Sequence, residues 1–361
     1  MKKIVFILLL IPLAALGFLL LGLPIVAWLR TLIPGFPAWC FWVWLIASAL
    51  TASVSLPLPE KLRSALHVYG EAVNAPMQTL SIFVSLGWLV WLVRRDVDIR
   101  TLGFVLLALF LPLCAYGVWN ALHIRETHYE LTLPKLRGTV RIALISDIHL
   151  GFFTGRQLTK RILAAVKRTE PELLLIAGDV MDDRIEQLRH PEEHIAALRE
   201  LTALCPVYTV RGNHDEFVRV SPERDEFLRR AGIRFYSDEL VTTNGLRILL
   251  RRDFRDTTSL PASELLREVP RDLPLLAVDH NPGRAEELID AGAELVLCGH
   301  THGGQTFPGT LFYRLSPDFP YGHKRLKGGH LIVTSGIGSF GLPLRIGIFN
   351  EVVMLTLHGE A

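Results

Sequence analysis

Cysteine is scarce in this chain, with four in 361 residues. Cys40 and Cys114 fall in apolar runs, Cys205 and Cys298 beside strand-like runs, and no spacing forms a zinc knuckle or a disulfide framework. They read as small apolar packing residues. Net charge is nearly absent as well: 38 Lys and Arg against 36 Asp and Glu leave a formal +2. With no basic stretch interleaved with aromatics, there is no clear nucleic-acid signal. Internal repeats and low-complexity tracts are missing, which excludes solenoid architectures. Tryptophan is absent beyond position 119: Trp28, Trp39, Trp42, Trp44, Trp88, Trp91 and Trp119 are all seven of them.

That asymmetry, in a chain that is 50% hydrophobic, marks the first 120 residues as a membrane region. Four apolar runs, Ile4 to Trp28, Trp39 to Leu56, Pro76 to Val93 and Thr101 to Trp119, each come near the ~20 residues that span a hydrocarbon core. Pro12 and Pro24 are tolerable where neighbouring helices satisfy the freed carbonyls. Lys2-Lys3 and Ala14-Ala15 also permit a cleaved signal peptide, although the first run is long for one. Counting Lys2, Lys3, Lys61, Arg63, Arg125 and Lys135 against Arg30, Arg94, Arg95 and Arg100 favours a multi-pass protein of the inner membrane with a cytoplasmic C-terminal domain. The charge margin is small.

Residues 121–138 shift to polar and charged composition and read as a linker, with Thr132-Leu133-Pro134-Lys135 leading into the second domain at 139–361. There, strand-like runs at Arg141 to Ser146, Leu173 to Ala177 and Val207 to Val210 alternate with helical spacing over Gln157 to Glu170 and Glu192 to Leu204. Such alternation predicts a largely parallel sheet covered by helices. Further strands at Arg247 to Leu250, Leu275 to Val278, Leu295 to Leu297, Leu331 to Thr334 and Val352 to Leu357 exceed what one covered sheet needs. Two stacked α/β sheets with helices outside are expected.

Chemistry concentrates just past these strands. Ser146-Asp147-Ile148-His149, Gly178-Asp179, Gly212-Asn213-His214-Asp215, His280 and Gly299-His300-Thr301-His302-Gly303-Gly304 each follow an apolar run. In α/β sheets such loops converge on ligands. Imidazole and carboxylate without thiolate suit Mn, Fe or Zn in a catalytic site. Asp179 as a bridging carboxylate would hold two ions ~3.5–4 Å apart, the separation that suits phosphoryl chemistry. A single Gly-Asp or Asp-x-His is ordinarily turn chemistry, whereas the ordered set is specific.

On these motifs, residues 139 to 358 resemble the calcineurin-like metallophosphoesterases, and Gly303-Gly304-Gln305 with Ser335-Gly336-Ile337-Gly338 and Pro343-Leu344-Arg345 resembles their membrane-associated bacterial YkuE/YaeI-type branch. The resemblance implies a four-layer α/β/β/α sandwich and a two-metal phosphohydrolase of phosphodiesterase or pyrophosphatase type. It implies one metal on Asp147, His149, Asp179 and His302 and a second on Asp179, Asn213, His280 and His300, with a bridging hydroxide as nucleophile. His214 would serve the leaving oxygen, oriented by Asp182. Relatives in this branch make a UDP-diacylglucosamine-like lipid a candidate substrate, with membrane lipids as partners; nothing in the sequence sets an oligomeric state.

Asp183 and Asp215 replace the Arg and Glu of the protein Ser/Thr phosphatases, which argues against phosphoprotein substrates. Asp279 before His280 is an unexpected acid, a candidate second-sphere partner of that histidine. His323 is the likeliest further histidine to reach the cleft, and Arg345 is either a substrate contact or a surface ion pair. Two other functions remain open at this level, a nucleotide phosphodiesterase or nuclease of the same fold and a metal-free scaffold module.

Overall fold

Strands form where branched apolar residues are dense, and here they build two sheets. The computed structural model describes residues 26–37, 39–40, 83–182, 185–217, 221–315 and 321–360, with single positions at 72, 76, 79 and 80. Most of the first and second expected spans, and the start of the third, lie outside the described residues; Phe83–Val93 is a short apolar helix. The fourth is helix α1, Ile99–Ala121, with mean hydropathy 2.1. Among the described residues it is the one helix long and apolar enough to cross a bilayer. The chain divides into two compact units, Met1–Tyr116 and Gly117–Ala361.

In the second unit, β1 (Ile124–Leu133), β2 (Thr139–Ile145), β3 (Leu173–Ala177), β4 (Val207–Val210), β5 (Phe235–Tyr236) and β12 (Asn350–Gly359) form a sheet ordered β1-β12-β2-β3-β4-β5. The other sheet holds β6 (Glu239–Thr243), β7 (Leu246–Leu250), β8 (Leu275–Val278), β9 (Leu295–Cys298), β10 (Gly322–Leu326) and β11 (Gly329–Val333), ordered β10-β11-β9-β8-β7-β6. Both are mixed. β2, β3, β4 and β5 run parallel, as do β7, β8, β9 and β11, while β12 is antiparallel to β2 and the β10/β11 and β6/β7 pairs are antiparallel.

Period-two alternation sends successive residues of β2 to opposite faces. Ala143 and Ile145 join Ile162, Val166, Ile195, Leu198 and Phe227 from helices α2 (Gln157–Thr169), α3 (Pro191–Thr202) and α5 (Pro222–Arg230). Ile142 and Leu144 instead pack with Leu173 and Leu175 and with Ile248, Leu276, Leu297 and Ile332 of the other sheet. A third cluster joins Leu249, Ala277, Val296 and Val333 to Leu288 and Ile289 of helix α7 (Ala285–Asp290) and to Ala262 of α6 (Ala262–Leu265). Each such fully buried aliphatic side chain contributes about 1.5–3 kcal/mol relative to exposure.

Where composition predicts a linker, residues Ile124–Leu133 are β1, in parallel register with β12 from Ile124↔Asn350 to Leu133↔Gly359. The strand lies at the sheet edge, so its outward residues stay polar and its composition resembles a loop's. The last turn of α1 is tied to the chain just before β12. Asn120 Nδ2 donates to the carbonyls of Arg345 (3.0 Å) and Ile348 (2.6 Å), and Asn350 Nδ2 donates to Ala121 O at 2.6 Å.

Candidate metal centre

Five parallel strands end on one side of the unit, and each delivers part of a single cluster. Asp147 and His149 follow β2, Asp179 and Asp182 follow β3, and Asn213 and His214 open helix α4 (Asn213–Phe217) after β4. His280 follows β8, and His300 and His302 follow β9. Of the seven expected metal ligands, Asp147, His149, Asp179, His300 and His302 hold positive φ, between 49° and 75°. A non-glycine residue there costs on the order of 1–3 kcal/mol and persists only where its surroundings fix it. Here Asp147 N donates to Gly178 O and His149 N to Asp179 O, both at 3.0 Å. His214 N donates to Asp179 Oδ1 (2.8 Å) and His300 N to Asp147 Oδ2 (3.1 Å). Two glycines make the approach possible: a Cβ at Gly212 would meet Asp179 Oδ1 at 2.1 Å, and one at Gly299 would meet Ser146 Oγ at 1.8 Å.

The donors fall into two groups that share Asp179. His149 Nε2 lies 3.0 Å from His302 Nε2 and 3.7 Å from both Asp147 Oδ1 and Asp179 Oδ2, and His302 Nε2 is 3.3 Å from Asp147 Oδ1. In the second group His280 Nε2 sits 3.1 Å from Asp179 Oδ2, 3.2 Å from Asn213 Oδ1 and 3.2 Å from His300 Nδ1. Asp147 with His149 and His302, His149 with Asp179 and His214, and Asp179 with His280 and His300 are three overlapping sets whose donor atoms are close enough to hold an ion.

The donor set fits divalent metal on three observations. Asp147 Oδ1 is fully buried and makes no hydrogen bond, a costly arrangement for a carboxylate oxygen unless a cation faces it. His280 Nδ1 is spent on Ala177 O at 2.8 Å, so its Nε2 lone pair points at two oxygens that carry no hydrogen. His149 Nδ1 is likewise held by Asp182 Oδ1 at 3.0 Å, the outer partner that orients a ligating imidazole.

The electrostatics agree. Burial alone would raise the Asp179 carboxyl, but the charge of His280 and the hydrogen bond with it outweigh burial and bring it to about 2. Burial would lower His280, yet Asp179 carries it up to about 10. Asp147 is held well below the usual carboxylate range, against its burial, chiefly by His302 and His149. His149 rises well above the ordinary histidine value because Asp182 overcomes its burial, whereas His302 and His300 are lowered first by burial and then by the neighbouring imidazoles. The carboxylates thus draw positive charge into both groups, as a proton or as a metal ion.

Asp182 also accepts from His214 Nδ1 at 2.8 Å, so one carboxylate orients a ligand candidate and the expected acid. Asp215 is buried, and burial followed by the nearby Asp179 raises it to about 6. Its carboxylate ties the β3 and β4 loops together, accepting from the backbone of Gly212 (3.0 Å), Met181 (3.0 Å) and Val180 (3.3 Å).

Three expectations are revised. Asp279 does not touch His280; its carboxylate takes Arg284 Nε and Nη2, both at 2.8 Å, and the histidine's partner is a main-chain carbonyl instead. His323 pairs with His330 at 2.8 Å on the β10/β11 hairpin, away from the cluster, because the edge strand carries it off. Arg345 is neither exposed nor aimed at the cleft. Fully buried, it donates to His302 O (3.0 Å) and Gly338 O (2.6 Å), with Nη2 3.1 Å from His302 Nδ1. Phe340 packs on His149 and His214 at 5.7 and 5.1 Å and is held by Gln305 through two hydrogen bonds to its backbone. Sequence reasoning missed it; Gln305, directly after the double-histidine block, was the available signal.

Comparison with known proteins agrees with this geometry. Residues 140–304 match the family model described as calcineurin-like phosphoesterase. An uncharacterized metallophosphoesterase of Aquifex aeolicus is 30% identical over 256 residues, covering 68% of this chain and 96% of its own length. One from Helicobacter pylori is 27% identical over 267 residues, 71% of this chain and 70% of the relative. A transmembrane protein with metallophosphoesterase domain from Danio rerio is 28% identical over 265 residues, 68% of this chain and 60% of the relative. With five strand ends delivering the family's Asp, Asn and His residues to one cluster, the chain belongs to the calcineurin-like phosphoesterases.

Proposed function

We propose that the protein is a membrane-tethered, two-metal phosphoesterase that hydrolyses a phosphodiester or pyrophosphate bond. The observation that carries this reading is the pair of donor groups meeting at Asp179, beside a buried Asp147 oxygen that makes no hydrogen bond. Asp147, His149, Asp179 and His302 would hold one ion, and Asp179, Asn213, His280 and His300 the other. Two divalent cations of the Mn, Fe or Zn class, when bound there, supply Lewis acidity toward phosphoryl oxygens and an acidified water.

The chain's own groups do the rest. His214 is the ring at the mouth, with its side chain 25% exposed against 1% for His149. Its Nδ1 is taken by Asp182, which leaves Nε2 to donate the proton that the leaving oxygen needs. Asp182 holds that ring in one orientation. The three apolar cores described above support a four-layer α/β/β/α arrangement.

Helix α1 and the transmembrane names of relatives from Danio rerio and Bos taurus support the tether, in a multi-pass protein with the catalytic domain on the cytoplasmic side. A tether concentrates the site at the bilayer, which favours a lipid-linked phosphate ester such as a UDP-diacylglucosamine. Purified full chain with Mn²⁺ is expected to hydrolyse bis-p-nitrophenyl phosphate, with Asp179→Asn inactive, and to prefer a UDP-linked lipid over its headgroup fragment. No turnover by the wild type contradicts the catalytic reading, and equal rates on lipid and fragment contradict the lipid-linked one.

A further inference from the structure

Helix α8, Gly309–Leu315, turns its largest apolar residues to solvent: Leu311 is 44% exposed, Phe312 68% and Leu315 72%. Leu311 and Leu315 lie at i and i+4, and Phe312 and Leu315 at i and i+3, so the three fall on one side of the helix. The buried Thr310 donates through Oγ1 to Ile346 O at 3.2 Å and the exposed Arg314 reaches Gly347 O through Nη2 at 2.8 Å, which together hold the helix to the domain.

The segment that anchors α8 also anchors the last turn of α1. Arg345 N donates to Gly117 O at 3.0 Å, and Asn120 Nδ2 reaches the carbonyls of Arg345 and Ile348. Residues 345–348 extend over roughly 10 Å, so α8 and the end of the apolar helix are close neighbours. Trp119 (52% exposed) and Leu122 (37%) add apolar surface at that end. Indole rings favour the headgroup level of a bilayer.

We propose that α8 is an interfacial helix whose Leu311, Phe312 and Leu315 enter the headgroup and acyl boundary of the bilayer beside the end of α1. The occupant of this face is lipid, because the segment holding α8 also holds the end of a helix with the length and hydropathy of a membrane span. The inference rests on the membrane reading of α1 and adds a second contact, made by the catalytic unit itself.

The test uses full-length protein in vesicles of phosphatidylcholine and phosphatidylglycerol, with the native cysteines replaced by alanine and Mn²⁺ binding retained. Single cysteines at Phe312, Leu315, Leu240, Leu260 and Leu109 carry an environment-sensitive nitrobenzoxadiazole. The probes at 312 and 315 are expected to be quenched by doxyl-labelled lipid and to show iodide quenching at least roughly threefold weaker than at 240 and 260. Quenching by lipid at Leu109 of α1 but not at 312 and 315 overturns this inference and leaves the tether standing. No lipid quenching at any of the three overturns both. Iodide shielding at 312 without lipid quenching means that protein covers the face, and also overturns it.

Discussion

At the scale of residues, Asp182 is the side chain on which most depends, because it holds the inner nitrogens of both His149 and His214. Asp182→Asn keeps the size and loses the charge. Metal affinity, read by competition with a chromogenic chelator, is expected to weaken about 10- to 100-fold. At saturating metal, kcat on bis-p-nitrophenyl phosphate is expected to fall by about 10²- to 10⁴-fold. Unchanged affinity and rate would show that neither imidazole relies on it.

The histidines also set a pH dependence. His280 is raised to about 10 in the folded chain from an ordinary 6.5, by Asp179 against its burial. A raised value means that, without metal, this group's stabilising contribution is fully present below pH 6.5 and is lost as pH rises through 10. Bound metal replaces the proton and does not vanish with rising pH. The melting-temperature gap between Mn²⁺-loaded and metal-free protein should therefore widen from pH 6.5 to 9, as measured by calorimetry. A constant gap would mean that His280 carries no proton to displace.

The ligand candidates were legible in the sequence as Asp, Asn and His after apolar runs. Phe340 and Arg345 were not, since their roles come from contacts with His149, His214 and His302 made by the fold.

At the scale of elements, strands buried on both faces were the easiest to read. Leu173–Ala177 is buried at every position, and the uninterrupted apolar run says so directly. β1 and β10 were hard to read because both are edge strands: Ile124–Leu133 turns polar residues outward, and in Gly322–Leu326 His323, Lys324 and Arg325 are exposed in a row. The tight loops after the strands carry a prediction of their own. Gly299→Ala puts a methyl group 1.8 Å from Ser146 Oγ and 2.5 Å from Asp147 Oδ2, atoms that are themselves hydrogen-bonded at 2.5 Å. Overpacking of this kind costs about 1–3 kcal/mol, and urea unfolding is expected to show that loss together with weakened metal binding. A variant as stable as the wild type would mean that the β2 and β9 loops are further apart than described.

At the scale of the whole molecule, an apolar first third joins a second unit that begins at Gly117 and holds every candidate ligand. The fourth apolar run is a single helix long and apolar enough to cross a bilayer, and the family match over 140–304 bears out the resemblance. The two sheets were legible from strand count, but their order was not, because β12 inserts between β1 and β2 from the far end of the chain.

One measurement bears most directly on the proposed two-metal centre: metal stoichiometry by mass spectrometry of full-length protein dialysed against Mn²⁺, alongside Asp179→Ala. Because Asp179 Oδ2 lies between the groups, 3.1 Å from His280 Nε2 and 3.7 Å from His149 Nε2, the wild type is expected to retain two ions per chain and the variant to lose the pair cooperatively. A wild type that holds one ion or none, or an Asp179→Ala variant that still holds two, would contradict the centre described here.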